Sequence, residues 1–392
     1  MRMKNKELRS IQIEDRIEIV DIVRGVALLG ILFVNMPSFY SPDIYYSDQS
    51  IAKTSLDRYL NIVIDLVGQG SFYPLFAILF GFGFMVMFEQ AYRKDTPFTP
   101  SFSRRLVGLF VIGVLHAFFI WYGDVLILYA LCGLLLLIFQ EARSQVLLTW
   151  ATILWVIPTL IMSVLLLVAT FHNQESAVVG LNQQLIEQSY AVYGNGTFMD
   201  ILSQRAMDWY YIHNMSTIPF LVLSIFPMFL LGAYMAKEKW FHYSEDRIVL
   251  LKWITLLSFL TFLLFKVMPY IFGRNLFTDY VQDNIGGPAG TLFYLGSLLL
   301  ISKSPFIQTL LKPFVAVGRL SLSNYLVQSL ICTFIFYNYG LGLYGKITAA
   351  QGIMIAIMIF FVQMLISNMW IKFYSHGPIE RVLRSITYWK KR

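Results

Sequence analysis

Residues 104–139 read RRLVGLFVIGVLHAFFIWYGDVLILYALCGLLLLIF, and this stretch decides the fold class. It holds two apolar runs, each long enough or nearly long enough to cross a bilayer, on either side of the tight turn WYGD at 121–124. Such a stretch is a membrane hairpin. The basic pair Arg104 and Arg105 starts it, and positive charge marks the cytoplasmic end of a span. We therefore predict that the hairpin enters from the cytoplasm, turns at the outer face and returns.

The hairpin carries two ionisable side chains near the turn, His116 and Asp124. Ionisable groups at membrane depth are costly and by default mark a functional site. A helix rises 1.5 Å per residue, so His116 is expected about 18 Å along the axis from Arg104, past the bilayer midplane. We predict a catalytic pair in which the imidazole is the base and the carboxylate orients the ring. The alternative is that the two side chains only satisfy one another and fix the turn.

The composition indicates a membrane protein. Of the 392 residues, 57% are hydrophobic and 14% are charged, against about 25% charged in soluble domains. This excludes a soluble multidomain protein. The net charge of +7 is explained by orientation, because Lys and Arg collect in alternate loops, and nucleic-acid binding is not expected.

We predict an all-α, polytopic membrane protein with about ten transmembrane helices and both termini in the cytoplasm. Residues 1–18 form a cytoplasmic tail, 19–373 the membrane domain, and 374–392 a cytoplasmic amphipathic tail. The outer loop 172–212 is predicted to contain a surface helix. The predicted spans are the hairpin pair and segments near 19–40, 60–88, 145–171, 213–236, 252–272, 286–302, 313–337 and 349–373.

Glycines interrupt several of these spans. The sequence GQGS at 68–71 predicts a break or re-entrant turn that lines a cavity. The sequence GFGF at 81–84 and the glycines of the first span predict close helix packing. Lys266, in the seventh span, is predicted to extend its charge to the outer face.

Further polar side chains inside spans are candidates for substrate binding. Asp21, Arg24 and Asn35 fall on nearly one face of the first span. They form either an ion pair that anchors the helix or a polar seam that leads to a site near Asn35. The ninth span carries a polar stripe that is unusual for a membrane helix, and its candidates are Arg319, Ser323 and Asn324.

Neither a metal site nor a permanently bound cofactor is expected. The five histidines show no metal-ligand spacing such as HExxH. The two cysteines both fall inside apolar runs, which suits small packing residues better than thiolate ligands.

Five motifs, in this order along the chain, carry a family resemblance. They are DIVRGVALLGILFVN (21–35), PLFAILFGFGF (74–84), the first thirty residues of the hairpin (104–133), VGRLSLSNYLVQS (317–329) and HGPIERVLRSITY (376–388). With them the chain resembles the YeiB-like bacterial membrane proteins, a family catalogued as domain of unknown function 418, over nearly its whole length.

The first-span motif is also similar to that of transmembrane acyltransferases of the heparan-glucosaminide acetyltransferase type. Those enzymes pass acetyl groups from cytoplasmic acetyl-CoA to extracytoplasmic sugars. The resemblance implies an acyltransferase fold and a histidine-centred site. The relatives carry their catalytic histidine shortly after the first span, whereas this chain has none between Asn35 and Pro74. His116 has to supply that function from another helix.

The leading hypothesis is therefore an acyltransferase of the bacterial plasma membrane. Its co-substrate is an acyl-CoA-type donor held by Arg24, Arg104 and Arg105, and its acceptor is a glycan, lipid or small-molecule hydroxyl near His116. The alternatives are a transporter or flippase and a non-catalytic membrane scaffold. The only other expected partner is the lipid bilayer. Candidates to hold the oxyanion are Asn35, Ser323 and Asn324.

Overall fold

The computed structural model describes residues 17–46, 54–171, 178–241 and 247–389, with side chains from 182 onward in the third range. Its secondary structure is helical, with no strand in these ranges. The predicted N-terminal tail lies outside them up to residue 16. The α-helices are α1 Glu18–Tyr40, α2 Ser55–Val67, α3 Phe72–Arg93, α4 Phe98–Phe119, α5 Leu126–Leu136, α6 Ser144–Thr170, α7 Val178–Asn195, α8 Phe198–Ile212, α9 Ile218–Lys237, α10 Ile248–Phe272, α11 Leu276–Val281, α12 Gly287–Ile301, α13 Pro305–Arg319, α14 Ser321–Phe336, α15 Ala349–Phe373 and α16 Pro378–Thr387.

Eight helical segments of the described chain are long and apolar enough to cross a membrane. Six of them contain a single helix each: α1, α4, α6, α9, α10 and α15. One further segment contains both α2 and α3, and another contains both α11 and α12. Two shorter apolar helices, Leu126–Phe139 and Ser321–Phe336, accompany these eight. Only 17% of the 18-residue apolar stretch of α6 is buried, and the same share of α10, so these two helices lie at the periphery. The predicted fold class, an all-α polytopic membrane protein, is confirmed.

Helices α3 and α9 cross at two glycines. A Cβ atom at Gly81 would lie 1.9 Å from the carbonyl oxygen of Phe229, and one at Gly232 would lie 1.9 Å from that of Ile78. The backbone of each helix therefore packs directly against a glycine of the other helix, and a side chain at either glycine would clash with it. The prediction of close packing at the first glycine of GFGF is confirmed.

Helices α1 and α13 cross in the same reciprocal way. A Cβ atom at Gly25 would lie 2.4 Å from the carbonyl oxygen of Phe314, and one at Gly318 would lie 1.9 Å from that of Asp21. The predicted close approach at the first span is thus confirmed. These two crossings hold α1 and α3 at fixed distances from their neighbours.

The predicted break at 68–71 separates α2 from α3. Gly70 has φ +68°, and a Cβ atom at Gly287 would lie 2.4 Å from the carbonyl oxygen of Gly70. Lys266 is only 1% exposed and donates to the carbonyl oxygens of Gln69, at 2.5 Å, and Asp65, at 3.3 Å. The prediction that Lys266 extends to the outer face is wrong, because the irregular turn needs a buried donor for its carbonyls.

The ninth predicted span, 313–337, is not one helix. It divides at Leu320, and α13 packs on both α1 and α15. Three side-chain hydrogen bonds join the polar stripe of α14 to α15: Gln328 to Gln363 (2.9 Å), Gln363 to the carbonyl oxygen of Asn324 (3.0 Å) and Asn324 to Ser367 (3.0 Å). Polar pairing of this kind joins helices in membranes.

The tail forms the predicted amphipathic helix, α16, and its apolar face packs on the bundle. Leu383 is 3% exposed, and its Cδ1 atom would lie 2.9 Å from a Cβ atom at Gly108 of α4. Glu380 accepts hydrogen bonds from the backbone N–H (2.9 Å) and the hydroxyl of Ser323. Helix α16 therefore closes one end of the bundle.

In the predicted outer loop, α8 covers the end of α4. Arg205 is fully buried and donates to the carbonyl oxygen of Phe119 at 2.8 Å. Asp208 accepts hydrogen bonds from Tyr45 (2.6 Å) and Tyr193 (2.5 Å). Burial raises the pKa of Asp208, and these hydrogen bonds oppose the rise. Helices α7 and α8 lie in this loop, and α8 packs on the hairpin.

Candidate functional site

A cavity of about 450 Å³ lies between α1, α3, α4, α5 and α14, with α16 across one end. Charged side chains line the end beside α16 and the beginning of α1. Asn35 and the broken turn at 68–71 lie at the other end, and apolar side chains line the space between them. The predicted cavity at the α2–α3 break is therefore present. Its volume is typical of a small-molecule site.

Four arginines line the charged end, which we call the arginine mouth: Arg24, Arg105, Arg319 and Arg384. The carboxylates there are Asp21 and Glu380, and Asp21 accepts from Arg24 at 3.4 Å. Among the described residues, four guanidiniums thus face two carboxylates at this end. Guanidinium groups bind phosphate oxygens in a bidentate geometry, so the mouth suits a phosphate-bearing ligand.

Arg105 is the best-placed group for such a ligand. It is half-buried, lines the cavity and makes no hydrogen bond or ion pair with any described residue. Burial raises the pKa of Tyr388 at the end of α16, and the positive charges of Arg105 and Arg384 oppose that rise. Both guanidiniums therefore act on the same small region, where an anion would be stabilised.

The middle of the cavity is an apolar channel. Arg24 and Asn35 both lie on α1, eleven residues and so about 16 Å apart along the axis. The channel wall between them comes mainly from α3, with a smaller part from α5. Gly83 leaves its side of the channel open, since the nearest atom to a Cβ there would be Nη2 of Arg24 at 3.7 Å. Wall side chains include Phe76, Leu79, Phe80, Leu126 and Tyr129.

His116 and Asp124 are in contact. Nδ1 of His116 lies 2.8 Å from Oδ2 of Asp124, and neither side chain is exposed. The other carboxylate oxygen accepts the backbone N–H of Ile127 at 2.9 Å, which stabilises the beginning of α5. An ionised carboxylate can only accept, so in the neutral imidazole Nδ1 carries the proton and Nε2 carries the lone pair. Nε2 has no hydrogen-bond partner within the described ranges.

A thin wall separates this pair from the cavity. Gly123, Val125 and Tyr325 line the cavity on that side, whereas His116 does not. The Tyr325 ring lies 5.0 Å from the imidazole, centroid to centroid, and its hydroxyl donates to the carbonyl oxygen of Gly123 at 3.1 Å. Tyr325 therefore both packs against the imidazole and lines the cavity.

Known proteins match the chain along its length. A family model described as "Protein of unknown function (DUF418)" matches residues 235–390. The chain is 35% identical over 390 residues to "Uncharacterized protein YxaH" of Bacillus subtilis (strain 168), covering 95% of this chain and 94% of that protein. This chain belongs to the DUF418 family. It is also 25% identical over 379 residues to "Uncharacterized protein YeiB" of Escherichia coli (strain K12), covering 94% of this chain and 95% of that protein.

The YeiB-like resemblance of this DUF418 chain is thus confirmed, and the wider likeness to acyltransferases stays a prediction. The region that the family model matches includes two arginines of the mouth, Arg319 and Arg384, as well as Tyr325 and Glu380. No group of three or more His, Cys, Asp or Glu side chains in the described ranges is arranged to hold a metal ion.

The DUF418 chain brings some predicted site residues together and keeps others apart. Those that line the cavity are Asp21, Arg24, Asn35, Arg105 and Arg319. Among the remaining substrate candidates, Arg104 donates to the carbonyl oxygen of Trp389 at 2.6 Å, and Ser323 and Asn324 are hydrogen-bonded to α16 and α15. The polar atoms of these three residues therefore hold helices together and do not face the channel.

Sequence reasoning missed the contribution of the tail. His376, Glu380 and Arg384 all line the cavity, and Arg384 lies 2.6 Å from Nε2 of His376. The tail motif at 376–388 was the available signal, because it combines acidic and basic residues with an apolar face. An amphipathic helix on a membrane surface turns its charged side to water, whereas Glu380 and Arg384 line the mouth.

Proposed function

We propose that this DUF418 protein is an acyltransferase of the bacterial plasma membrane that uses a phosphate-bearing acyl thioester of the acyl-CoA type. The observation that carries the proposal is the cavity, which joins the arginine mouth to an apolar channel beside His116. Lysine and arginine placement predicts that the mouth faces the cytoplasm, where such thioesters are available. The donor's phosphates then bind at the mouth, and its acyl group enters the channel.

The proposed chemistry needs a base near the acceptor hydroxyl. Nε2 of His116 takes the hydroxyl proton as the oxygen attacks the thioester carbonyl carbon. The C–S bond breaks, the thiolate leaves towards the mouth, and Asp124 stabilises the imidazolium that forms. Asn35, at the deep end of the channel, is the remaining candidate to stabilise the oxyanion. The Tyr325 ring must turn aside for the two substrates to meet.

The first test is donor binding by Arg105→Ala, with Arg104→Ala as the matched control. Both variants remove one positive charge from adjacent positions, but only Arg105 lines the cavity. A hydrogen bond to a charged group is worth about 1.5–3 kcal/mol, so Arg105→Ala should raise the Kd for acyl-CoA about 10- to 100-fold. Arg104→Ala should change it less than threefold. Isothermal titration calorimetry of detergent-purified protein measures both.

Equal losses in the two arginine variants would contradict a specific role for Arg105. Failure of folded wild-type protein to bind any acyl-CoA would exclude this donor. A melting curve for each variant separates loss of binding from loss of fold.

A second candidate function is transport of an amphiphilic molecule. The observation that favours it is the wall at Tyr325, which keeps His116 out of a channel that is polar at both ends. Intramembrane polar groups of this kind also line substrate paths. Mass spectrometry of substrates incubated with reconstituted protein distinguishes the two functions. Acyl transfer changes the mass of the acceptor, whereas transport moves a molecule of unchanged mass.

A further inference from the structure

We propose that this DUF418 protein has a second anion site, built around Arg205 at the end of α4 opposite the arginine mouth. Its ligand is an oxyanion, either a carboxylate or a phosphate ester. In the proposed acyl transfer, the oxyanion is the acidic group of the acceptor, and this assignment of the ligand rests on the proposed function. The acceptor is then an acidic hydroxyl compound and not a neutral or cationic one.

Arg205 is a buried cation without a carboxylate partner. It is fully buried, and it contacts the carbonyl oxygen of Phe119 and the side chains of Tyr337 and Tyr339. None of the described carboxylates forms an ion pair with it, and Asp208 instead accepts from two tyrosines and a glutamine. The carbonyl end of α4 supplies only about half an elementary negative charge. A buried positive charge therefore remains uncompensated, which is costly unless a ligand neutralises it.

Unpaired N–H groups accompany this charge. Nε of Arg205 and Nε1 of Trp209 are buried and have no acceptor within the described ranges. The two residues are four apart on α8 and so lie on one face of it. Trp209 packs on Phe118 with ring centroids 5.4 Å apart, and Arg205 donates to Phe119, so both contact the last turn of α4. Buried polar groups are normally paired, and N–H donors beside a positive charge suit an oxyanion.

The site is distant from the arginine mouth and close to the proposed base. Arg105 and Phe119 are fourteen residues apart on α4, about 21 Å along its axis. His116 precedes Phe119 by three residues, about 4.5 Å. A hydroxyl a few bonds from an oxyanion at Arg205 therefore lies near the level of the imidazole. The two anion sites then hold the donor and the acceptor from opposite ends of the hairpin.

The guanidinium of Arg205 lies one side chain below the surface. Tyr339, whose hydroxyl accepts from Nη2 of Arg205 at 2.8 Å, is 38% exposed. Its ring contacts that of Phe198, which is 49% exposed. Lysine and arginine placement predicts that this side faces outward. A ligand from outside therefore reaches Arg205 when the Tyr339 ring turns away.

The experiment titrates glycerol phosphate into detergent-purified protein, with uncharged glycerol as the control ligand. All variants carry Arg105→Ala, which weakens anion binding at the mouth, so the remaining binding reports the second site. Adding Arg205→Gln should raise the Kd for glycerol phosphate about 10- to 100-fold. Arg274→Gln is the matched control, because Arg274 also lies in a predicted outer segment but forms an ion pair with Asp65. It should change the Kd less than threefold.

Trp209→Phe is the second variant, because Arg205→Gln also removes the hydrogen bond to Phe119. Phenylalanine keeps a ring beside Phe118 and removes an N–H that has no acceptor among the described residues. We expect it to raise the Kd about 2- to 10-fold, the contribution of one neutral hydrogen bond to the ligand. A melting curve for each variant shows whether it is folded, and Trp209→Phe decides the result if Arg205→Gln does not fold.

The outcomes separate the site from the function that names its ligand. If glycerol phosphate does not bind in the Arg105→Ala background, or if Arg205→Gln and Trp209→Phe leave its Kd unchanged, the second site does not exist; donor binding and the proposed function are unaffected. If Arg205 binds glycerol phosphate but acyl-CoA does not bind, the site stands and the acyltransferase proposal falls.

Two further ligands identify the source of the oxyanion. Lactate tests a carboxylate in place of a phosphate, and phosphatidylglycerol in mixed micelles tests the head group of a lipid. Tighter binding of phosphatidylglycerol than of glycerol phosphate, lost in Arg205→Gln, would support a membrane lipid as the acceptor. Tighter binding of a soluble ligand, lost in the same variant, would support a soluble acceptor.

Discussion

Replacing His116 by alanine is expected to lower the rate of acyl transfer about 10²- to 10⁴-fold, the usual contribution of a general base. The imidazole of His116 does not line the cavity, and in the proposed mechanism the donor's phosphates bind at the distant arginine mouth. Donor affinity should therefore stay within about twofold of wild type. Single-turnover transfer to a hydroxyl acceptor, with a separate binding titration, measures the two quantities on the same preparation.

Asp124→Asn distinguishes catalysis from a structural role of the pair. The amide oxygen can still accept the N–H of Ile127 and so keep the beginning of α5, but the negative charge opposite Nδ1 of His116 is lost. We expect slower transfer, with a melting temperature close to that of wild type. If His116→Ala and Asp124→Asn instead lose fold and donor binding along with activity, the pair serves only to fix the turn, and His116 is not the base.

The sequence predicted the hairpin well because its signal is local. Two apolar runs and a WYGD turn require helices on either side, and the structure has α4 and α5 there. The pairing of His116 with Asp124 was predicted from the residue types and not from geometry. Eight residues separate the two side chains, and the chain from 121 to 125 is not helical, so helical periodicity cannot place them. How the turn closes depends on its packing, including Trp121 against Phe39.

The predicted binding residues show a second limit of reasoning from the sequence alone. Arg104 and Arg105 are adjacent and chemically identical, yet they point about 100° apart on α4, and only Arg105 lines the cavity. Ser323 and Asn324 were predicted to bind substrate because they are polar groups inside a predicted span. The same residue types also join membrane helices, which is what these two do. Periodicity likewise predicted the apolar face of α16, but not that protein covers that face.

The glycines of GFGF provide the sharpest test of the packing. Gly81→Ala is expected to lower the free energy of unfolding by about 1–3 kcal/mol, the usual cost of overpacking. The new Cβ atom would lie 1.9 Å from the carbonyl oxygen of Phe229. That oxygen belongs to the backbone of α9, so no change of rotamer relieves the clash and the two helices must separate. Thermal or denaturant unfolding of the detergent-purified protein measures the loss.

Gly83→Ala is the matched control, two residues away on the same helix. Its Cβ atom would lie 3.7 Å from Nη2 of Arg24, an ordinary contact with a flexible side chain. Alanine is also favoured over glycine in helices by roughly 0.5–1 kcal/mol, so this variant should be as stable as wild type or slightly more stable. Equal destabilisation by both substitutions would contradict the α3–α9 crossing. The opposite signs are expected because one glycine meets a backbone and the other meets the channel.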